Sequence, residues 1–585
     1  MPAEEINVSK KYHRKTPVRT FDLNKTLYDT VLEQNRNNMD SEAIGFLGYS
    51  MTFKELFKNV DKLADAYYRF GLREGDTVAI CTINMPLVQE NLLALSKIGV
   101  TSKWVDLRVK QKELLKNFNE SNCKIVVAFD GIVSQIKEII DETSIEKVLV
   151  ASPKDYLNAI VHVLADLKDK KENKYVSIPD DSRFISYKKF LNSGNENSSL
   201  KSIGFKQDRR SIIVQSSGST GVAKSIVHTE YNFNSEMQKE AYNDLPFADG
   251  KSLYVAIPPF IIYGLNNSIY LALVFSLKAE MTPFVSETTL FDDLGKYDFA
   301  AVAPLHCRYL YNKINELKES GNEKAYLNTL EKLSRVKCFI SGGDKITVEE
   351  ILDMQHTFSV PILNGYGNNE LTGGAIMSPL YASKPDSVGV PFNGVEVFAF
   401  DVETGRQLKR FEEGEICIHS DSVFVEYLNN PEETSRVKQK HADGKYWIHT
   451  GDLGYIDNDG FVYITGRAKR LIKREAFKIS PDTIENAIML LEEVKDCVVV
   501  GVTDLEYENS FVPMAFVELY PEFVNRFKEI EPKILECCNK ELPDYEIPKY
   551  IKFIDKIPYK NTKHNFKELE KLGEEYVESL SKKGL

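Results

Sequence analysis

A segment rich in glycine and hydroxyl side chains, residues 215–225 (QSSGSTGVAKS), has the composition of a site that binds phosphate groups. Glycines let backbone N–H groups converge because they carry no Cβ atom, hydroxyls add hydrogen-bond donors, and Lys224 adds a positive charge. The segment is not a Walker A loop, since Ala223 rather than glycine precedes the lysine. Taken alone it could be a flexible turn; we interpret it as a cradle for a polyphosphate.

Three later segments strengthen that interpretation: 364–370 (NGYGNNE), 450–452 (TGD) and 466–473 (GRAKRLIK). Their order and spacing resemble the adenylate-forming superfamily, which contains acyl-CoA synthetases, peptide-synthetase adenylation domains and luciferases. The resemblance extends from about residue 27 to residue 569, nearly the whole chain. It implies an AMP-binding ligase that uses ATP and Mg²⁺ to convert a carboxylic acid to an acyl adenylate, and then passes the acyl group to a thiol.

The phosphate cradle is the first set of site residues that the resemblance implies. A carboxylate attacks the α-phosphorus of ATP and pyrophosphate leaves, so the enzyme must position the phosphates and offset their charge. The residues that match the family's loop are Ser216, Ser217, Gly218, Ser219, Thr220, Gly221 and Lys224. The family usually has Pro and Gly around the lysine, where this chain has Ala223 and Ser225.

The segment 364–370 is the implied site of Mg²⁺ and of the adenine ring. Glu370 ends a Tyr-Gly-x-x-Glu pattern, and its carboxylate is a hard oxygen ligand suited to Mg²⁺. The residues expected to bind AMP are Tyr366, Gly367, Asn368 and Asn369. Asn369 stands where the family usually has threonine, which changes the donor geometry. The alternative for Glu370 is a glutamate in a solvated loop.

The Thr-Gly-Asp segment is the implied ribose anchor. Asp452 would accept hydrogen bonds from the ribose hydroxyls, and Arg467 would add a second contact to ribose or phosphate. An isolated Thr-Gly-Asp is usually only a turn, but here Trp447 upstream and Gly466 downstream also match the family pattern.

Lys469 falls at the family's hinge, about which the C-terminal domain rotates between adenylation and thioester formation. The loop 473–481 resembles the segment that reaches the active site in the second half-reaction. The family usually carries glycine where Ala476 stands, and glycine permits close approach of a pantetheine thiol. The acceptor therefore stays open between CoA and the phosphopantetheine of a separate carrier protein, since no carrier domain follows the small domain.

The catalytic lysine is expected near the C-terminus, where the family signature is roughly Pro-x-Thr-x-x-Gly-Lys. Residues 557–569 read IPYKNTKHNFKEL. Aligning the Lys-Glu-Leu that follows makes Lys563 the match, with one residue missing, whereas counting forward from Pro558 points to His564. We choose Lys563, with His564 and Lys560 as alternatives; a solvated basic tail is the remaining possibility.

The acyl pocket of the family is formed by segments equivalent to 258–268, 302–308, 341–345 and 364–377. The candidate lining residues are Phe260, Ile261, Tyr263, Leu305, Gly342, Gly343 and Ile376. Ile261 stands where relatives that activate amino acids have aspartate and where many CoA ligases have histidine, and an apolar side chain cannot pair with an ammonium group. We expect an apolar substrate, fatty or aryl, although each of these residues could also belong to an ordinary core.

Composition excludes several other classes of protein. The net charge of −12 argues against general nucleic-acid binding. The eight cysteines show no CxxC or CxxH spacing, and there is no hydrophobic N-terminal signal, so we expect a reduced, cytoplasmic protein. The most apolar region, 253–277, is interrupted by prolines, a glycine and asparagines, which argues against an integral membrane segment.

The elements that must position these residues alternate between strands and helices. Buried-strand patterns occur at 77–82, 124–129, 147–151 and 211–214, and a helix with a capping box is predicted from Thr52 and Glu55. Gly99 is expected to end another helix. Such alternation predicts an α/β fold with parallel-rich sheets between helices, and the loop after residue 214 lies where such sheets bind ligands.

The chain divides, by its pattern, into residues 1–468 and residues 469–585. The first contains the sheets and a β region from about residue 394, and the second reads as a small, mobile α+β domain with helices from Pro481 and Pro521. We expect a basic solvated arm at 10–15 and surface excursions at 170–208.

Two further functions remain open. One is an enzyme that stops at the acyl adenylate and passes it to another acceptor, which Ala476 keeps possible. The other is a nucleotide-binding relative without turnover, suggested by Ala223, Asn369, Ala476 and the irregular segment around Lys563.

Overall fold

Two large, mostly parallel sheets form the centre of the N-terminal part of the molecule. The structure is a computed structural model, and it describes residues 11–157, 176–216, 224–474, 477–505, 511–560 and 563–581. The nine strands of the first sheet, in spatial order, are Val390–Pro391, Gly373–Met377, Ile362–Asn368, Cys338–Gly342, Phe299–Val302, Ser252–Val255, Lys278–Met281, Glu42–Phe46 and Tyr49–Thr52. The eight of the second are Glu426–Tyr427, Ser225–His228, Ile212–Gln215, Thr101–Trp104, Thr77–Cys81, Ile125–Phe129, Lys147–Ala151 and Phe184–Ser186.

Helices pack against these sheets, so the parallel strands are buried and read as continuous apolar runs. The helices of this part are Leu27–Gln34, Phe53–Phe70, Leu87–Ile98, Gln111–Glu120, Val133–Ile139, Tyr187–Leu191, Glu230–Glu240, Ile262–Gly264, Leu271–Val274, Glu287–Asp292, Pro304–Glu319, Glu323–Leu333, Val348–Phe358 and Pro431–Val437. A π-helix, Leu265–Tyr270, joins two of them. Short 3₁₀ turns lie at Asp130–Ile132, Ile140–Glu142, Pro153–Tyr156, Asn369–Leu371 and Ala468–Arg470. The predicted α/β class is confirmed.

Two local predictions about helix ends are also confirmed. Thr52 and Glu55 form the reciprocal capping box of the helix Phe53–Phe70. Gly99, with φ of 70°, terminates the helix Leu87–Ile98 in the left-handed conformation. Both signals are local, which is why the sequence sufficed to find them.

An antiparallel sheet follows the parallel ones, as the β pattern from residue 394 predicts. Its strands are Glu396–Phe400, Gly414–His419, Tyr446–Ile456, Lys438–Lys440 and Val462–Arg467. The Tyr446–Ile456 and Val462–Arg467 strands pair so that Asp452 lies opposite Arg467.

The C-terminal segment forms a smaller α+β unit. Its strands are Ile472–Arg474 paired with Phe477–Ile479, Val494–Thr503 with Phe511–Leu519 and Tyr550–Phe553, and Tyr559–Lys560 with Lys563–His564. Its helices are Pro481–Ile488, Phe527–Glu541 and Phe566–Ser581, with a 3₁₀ turn at Val524–Arg526. The helix predicted from Pro521 begins only at Phe527. The domain boundary at Lys469 stays a prediction.

One prediction about a surface segment is wrong for part of its range. Within 170–208, of which residues from 176 onward are described, Phe184–Ser186 adds a parallel strand to the second sheet and Tyr187 is buried. The predicted arm at 10–15, of which residues from 11 onward are described, is exposed at Lys11, Arg14 and Lys15, and it is anchored because Arg14 donates to the carbonyls of Asn243, Asp244 and Leu245. In the described ranges, no helix is long and apolar enough to cross a membrane.

Candidate active site

The proposed phosphate cradle is the loop of a β-hairpin. Its flanking strands, Ile212–Gln215 and Ser225–His228, are antiparallel. At the base of the loop the Ser216 N–H donates to the Lys224 carbonyl at 2.9 Å, and the Lys224 N–H donates to Ser216 Oγ at 3.1 Å. Ser217, Gly218, Ser219, Thr220 and Gly221 lie outside the described residues. The two ends of the loop are thus fixed to each other at the carboxyl edge of the second sheet.

Lys224 is held by an acid that the sequence analysis missed. Its ammonium group forms an ion pair with the carboxylate of Glu433 and lies 4.9 Å from the ring centroid of Tyr427. The pKa of Glu433 is lowered to about 2, mainly by a hydrogen bond from Arg436 and also by the hydrogen bond from Lys224. Glu433 therefore stays ionised near neutral pH. No local pattern marks it, because its partner is 209 residues away.

Glu370 lies beside the same tyrosine. The Tyr427 hydroxyl donates to Glu370 Oε1 at 2.6 Å, and the N–H of Phe424 donates to the Glu370 carbonyl at 2.8 Å. Glu370 Oε2 has no hydrogen-bond partner among the described residues. A half-buried carboxylate with one oxygen available is a suitable ligand for Mg²⁺, so the residues present fit this ion. Glu370 as the Mg²⁺ ligand stays a prediction.

Asp452 joins two other predicted site residues. It accepts a hydrogen bond from the Tyr366 hydroxyl at 2.5 Å and forms an ion pair with Arg467, whose Nε lies 2.9 Å from Asp452 Oδ1. Burial, followed by the charge of Asp452, raises the pKa of Tyr366 well above its ordinary value, so the phenol stays protonated and donates. The side chain of Asp452 is 7% exposed, whereas that of Arg467 is 54% exposed. Their roles toward AMP stay predictions.

A second carboxylate supports the Thr-Gly-Asp segment. Glu415 Oε1 accepts the N–H of Gly451 at 2.9 Å, and its other oxygen lies 2.8 Å from His449 Nδ1. Thr450 Oγ1 donates to the Ile416 carbonyl and accepts the N–H of Asp452. Glu415, His449 and Cys417 have their ligand atoms within 4.8 Å of one another, but the first two are already paired. We interpret this group as support for the turn.

Tyr263 is one of the residues of the predicted acyl pocket. Its hydroxyl donates to the Ile340 carbonyl at 2.7 Å, so the ring lies across the carboxyl ends of two strands of the first sheet. A Cβ atom at Gly342 would lie 3.0 Å from the Gly365 carbonyl oxygen, so the absence of a side chain permits this close approach. Gly343 follows with φ of +87°.

The other candidate lining residues differ in exposure. Phe260 and Ile376 are buried in the main core, Ile261 is half-buried, and Leu305 is 44% exposed in the first turn of its helix. Asn369 connects this region to the cradle, because its amide donates to the Gln215 carbonyl at 2.9 Å. All of these assignments stay predictions.

A buried polar group lies beyond the pocket and gave no sequence signal. Glu236 and Glu240 are fully buried one helical turn apart, and Asn267 donates to both at 3.0 Å. Burial first, then the neighbouring Glu236, raises the pKa of Glu240 to about 8. Glu240 therefore carries a proton at neutral pH. Charged residues at helix positions are normally solvated, which is why pattern reasoning did not predict a buried pair.

The C-terminal candidates within the described residues lie on a 3₁₀ turn and on a short hairpin, Tyr559–Lys560 with Lys563–His564. Lys469 belongs to the 3₁₀ turn Ala468–Arg470, and Ala476 lies outside the described residues. Lys563 pairs with Lys560 in the second hairpin. His564 Nε2 lies 2.9 Å from Asp496 Oδ2, and the choice of Lys563 over His564 as the catalytic residue stays a prediction.

Tyr427 thus contacts both the Lys224 ammonium and the Glu370 carboxylate, and the segment 364–370 also contacts the cradle through Asn369 and Asp452 through Tyr366. Such a set can hold a triphosphate, its metal ion and a sugar.

Known protein families and known proteins match most of this chain. The sequence profile of the AMP-binding enzyme family matches residues 31–428, and that of the AMP-binding enzyme C-terminal domain matches residues 483–563. The chain is 25% identical over 547 residues to long-chain-fatty-acid–CoA ligase of Bacillus subtilis, covering 92% of each protein. It is 25% identical over 526 residues to 4-coumarate–CoA ligase 4 of Arabidopsis thaliana, covering 88% of this chain and 84% of that protein.

Solved structures share the fold. ATP-bound MatB from Rhodopseudomonas palustris matches with a TM-score of 0.78 at 21% identity, covering 93% of this chain and 98% of that one. Because the family profile spans more than half of the sequence, the chain belongs to the AMP-binding enzyme family, within the adenylate-forming superfamily of acid–thiol ligases.

Proposed function

We propose that this enzyme uses Mg-ATP to convert an apolar carboxylic acid, fatty or aryl, to an acyl adenylate and pyrophosphate, and then transfers the acyl group to the thiol of CoA. The observation that carries the proposal is the contact of Tyr366, Asp452 and Arg467 with one another, together with the hydrogen bond by which Asn369 joins the segment of Tyr366 to Gln215 at the base of the Lys224 hairpin. A buried carboxylate is costly unless it is paired, and Tyr366 and Arg467 supply the partners that hold Asp452 there.

We assign to each side chain the role that the family resemblance implies. Asp452 accepts hydrogen bonds from the ribose, Lys224 neutralises phosphate charge, and Lys563 stabilises the carboxylate and α-phosphate as they approach. Glu370, together with phosphate oxygens, would hold Mg²⁺, which offsets the charge of the leaving pyrophosphate when bound. The residues Ser216 to Gly221 supply N–H and hydroxyl donors to the phosphates.

The apolar acid is supported by Ile261 and by the half-buried ring of Tyr263 in the predicted pocket. An ammonium or carboxylate on the distal part of the acid would have no charged partner from Ile261 and would lose its hydration. The names of the two relatives include a fatty and an aryl acid, so both classes belong in the test.

CoA is the first choice of thiol because both relatives are CoA ligases by name. Ala476, in place of the family's glycine, favours testing a separate carrier protein and other acceptors as well. We also place the reaction in the cytoplasm, a proposal supported by eight cysteines that are all free.

Acid-dependent release of pyrophosphate from Mg-ATP, across fatty, aryl and amino acids with and without CoA, tests the proposal. Release with one apolar class that CoA increases, with formation of the acyl-CoA, is the expected result. Release that ignores CoA would move the acceptor to a carrier phosphopantetheine or another nucleophile. Bound ATP without release for any acid would contradict the enzyme and favour a nucleotide-binding relative without turnover.

A further inference from the structure

The hairpin that carries Lys563 is attached to the small domain by one carboxylate. Its strands, Tyr559–Lys560 and Lys563–His564, are only two residues each, too short to be stable alone in water. His564 Nε2 lies 2.9 Å from Asp496 Oδ2, and the Tyr559 hydroxyl donates to the same oxygen at 2.7 Å. The Asp496 side chain thus contacts one residue on each strand of the hairpin.

The neighbouring strand aims Asp496 at this hairpin. Asp496 lies on the long strand Val494–Thr503, at a register shift between Val494 and Asp496 opposite the strand Phe511–Leu519. Such a bulge re-aims a side chain out of the regular alternation. The residue before the hairpin is fixed too, since Glu518 Oε2 accepts the N–H of Ile557 at 2.8 Å.

The electrostatics favour an ionised Asp496. Burial acts to raise the pKa of Asp496, but hydrogen bonds from His564 and Tyr559 outweigh it and leave the pKa below its ordinary value. The rings of Tyr559 and His564 are also in contact, with centroids 4.7 Å apart. The three side chains therefore form one closed group, which we call the hairpin clasp.

The clasp also lies near the N-terminal part of the site. The charge of Asp344, which follows Gly343 of the predicted acyl pocket, contributes to raising the pKa of Tyr559. Lys345 Nζ donates to Asn486 Oδ1 of the small domain at 2.7 Å. The hairpin is therefore within electrostatic range of the loop that borders the predicted acyl pocket.

We propose that Asp496 and His564 are positioning residues that hold the Lys563 hairpin in place for the adenylation half-reaction. The inference rests on the proposed function and on Lys563 as its catalytic lysine. In the family picture the small domain rotates before thioester formation, so Lys563 acts in the first half-reaction alone. Loss of the clasp should therefore slow acyl-adenylate formation and leave the second half-reaction unchanged.

The test measures the two half-reactions separately. Adenylation is followed as acid-dependent release of pyrophosphate, and thioester formation as conversion of a synthetic acyl adenylate with CoA. For Asp496→Ala and His564→Ala we expect about a tenfold loss of adenylation, the scale of one charge-assisted hydrogen bond, with thioester formation within about twofold of wild type. The double variant should be no slower than Asp496→Ala, because Asp496→Ala already removes the contact with His564.

Two further variants separate positioning from general damage. His564→Gln keeps an N–H donor for Asp496 and should restore most of the adenylation rate. Glu574→Ala is the matched control, because Glu574 accepts the N–H and hydroxyl of Thr503 at the far end of the same strand, away from the hairpin. It should change both half-reactions alike or neither.

Several outcomes would overturn the inference. Equal losses in both half-reactions for His564→Ala, failure of His564→Gln to restore adenylation, or unchanged adenylation in Asp496→Ala would each do so. A wild-type enzyme that forms no acyl adenylate would instead contradict the proposed function, and the two failures are thus distinguishable.

Discussion

The ion pair between Lys224 and Glu433 predicts that the Glu433 carboxylate competes with the phosphates of ATP for Lys224. The Lys224 ammonium is paired with Glu433, and the two side chains are 23% and 19% exposed. When ATP binds, its phosphates must draw Lys224 away from this carboxylate, and Glu433 then adds a negative charge beside them. We therefore expect Glu433→Gln to tighten ATP binding.

The magnitude follows from the exposure of the pair. A partly exposed ion pair contributes about 1 kcal/mol, and about 1.4 kcal/mol corresponds to a tenfold change in an equilibrium constant. The KM for ATP should accordingly fall about fivefold in Glu433→Gln. Because the pKa of Glu433 is lowered to about 2, the carboxylate is ionised throughout the working range and the effect should be the same at pH 6.5 and pH 8.5.

Glu432→Gln is the matched control, since it makes the same change of charge one residue earlier on the same helix. The Glu432 carboxylate is exposed and has no hydrogen bond or ion pair with a described residue. The assay is acid-dependent release of pyrophosphate at varied Mg-ATP. A KM for ATP that rises in Glu433→Gln would refute the reasoning and indicate that Glu433 orients Lys224. Equal changes of KM in both variants would show that only the net charge of the protein matters.

Three other predictions follow from single contacts. Asp452→Asn should lower kcat/KM for ATP about 10- to 100-fold, because charge-assisted hydrogen bonds are lost, and an unchanged value would contradict its role at the ribose. Gly373→Ala should lower the thermal midpoint markedly, since a Cβ atom there would lie 1.8 Å from Asn267 Oδ1 at a φ of +133°; a stable variant would contradict this geometry. Burial lowers the pKa of His228 to about 3. As the pH falls below about 6.5, this histidine therefore takes up a proton in the unfolded chain but not in the folded protein. The free energy of unfolding should consequently drop by about 2 kcal/mol between pH 8 and pH 5. Thermal midpoints of wild type and His228→Asn across that range measure it, and equal slopes would refute it.

The sequence predicted what is encoded locally. The capping box of Thr52 and the buried strand before Ser216 depend on neighbouring residues, and pattern rules describe such signals well. The helix predicted from Pro521 starts only at Phe527, because a 3₁₀ turn, Val524–Arg526, comes before it.

The parts that were missed depend on contacts between distant residues. Glu433 and Tyr427 lie beside the site only because the segment 424–437 folds back onto the hairpin of Lys224. The buried acids Glu236 and Glu240 look like ordinary surface charges in the helix pattern. Their environment comes from Asn267 and the packing around it, which one sequence does not reveal.

The distances along the chain between partners in the site have a consequence for folding. Tyr366 and Asp452 are 86 residues apart, and Lys224 and Glu433 are 209 residues apart. Loops of that length close slowly, and large proteins fold through intermediates. We expect the nucleotide site to form after the sheets, so a growing chain on the ribosome would gain ATP affinity only once residues beyond Arg467 have emerged.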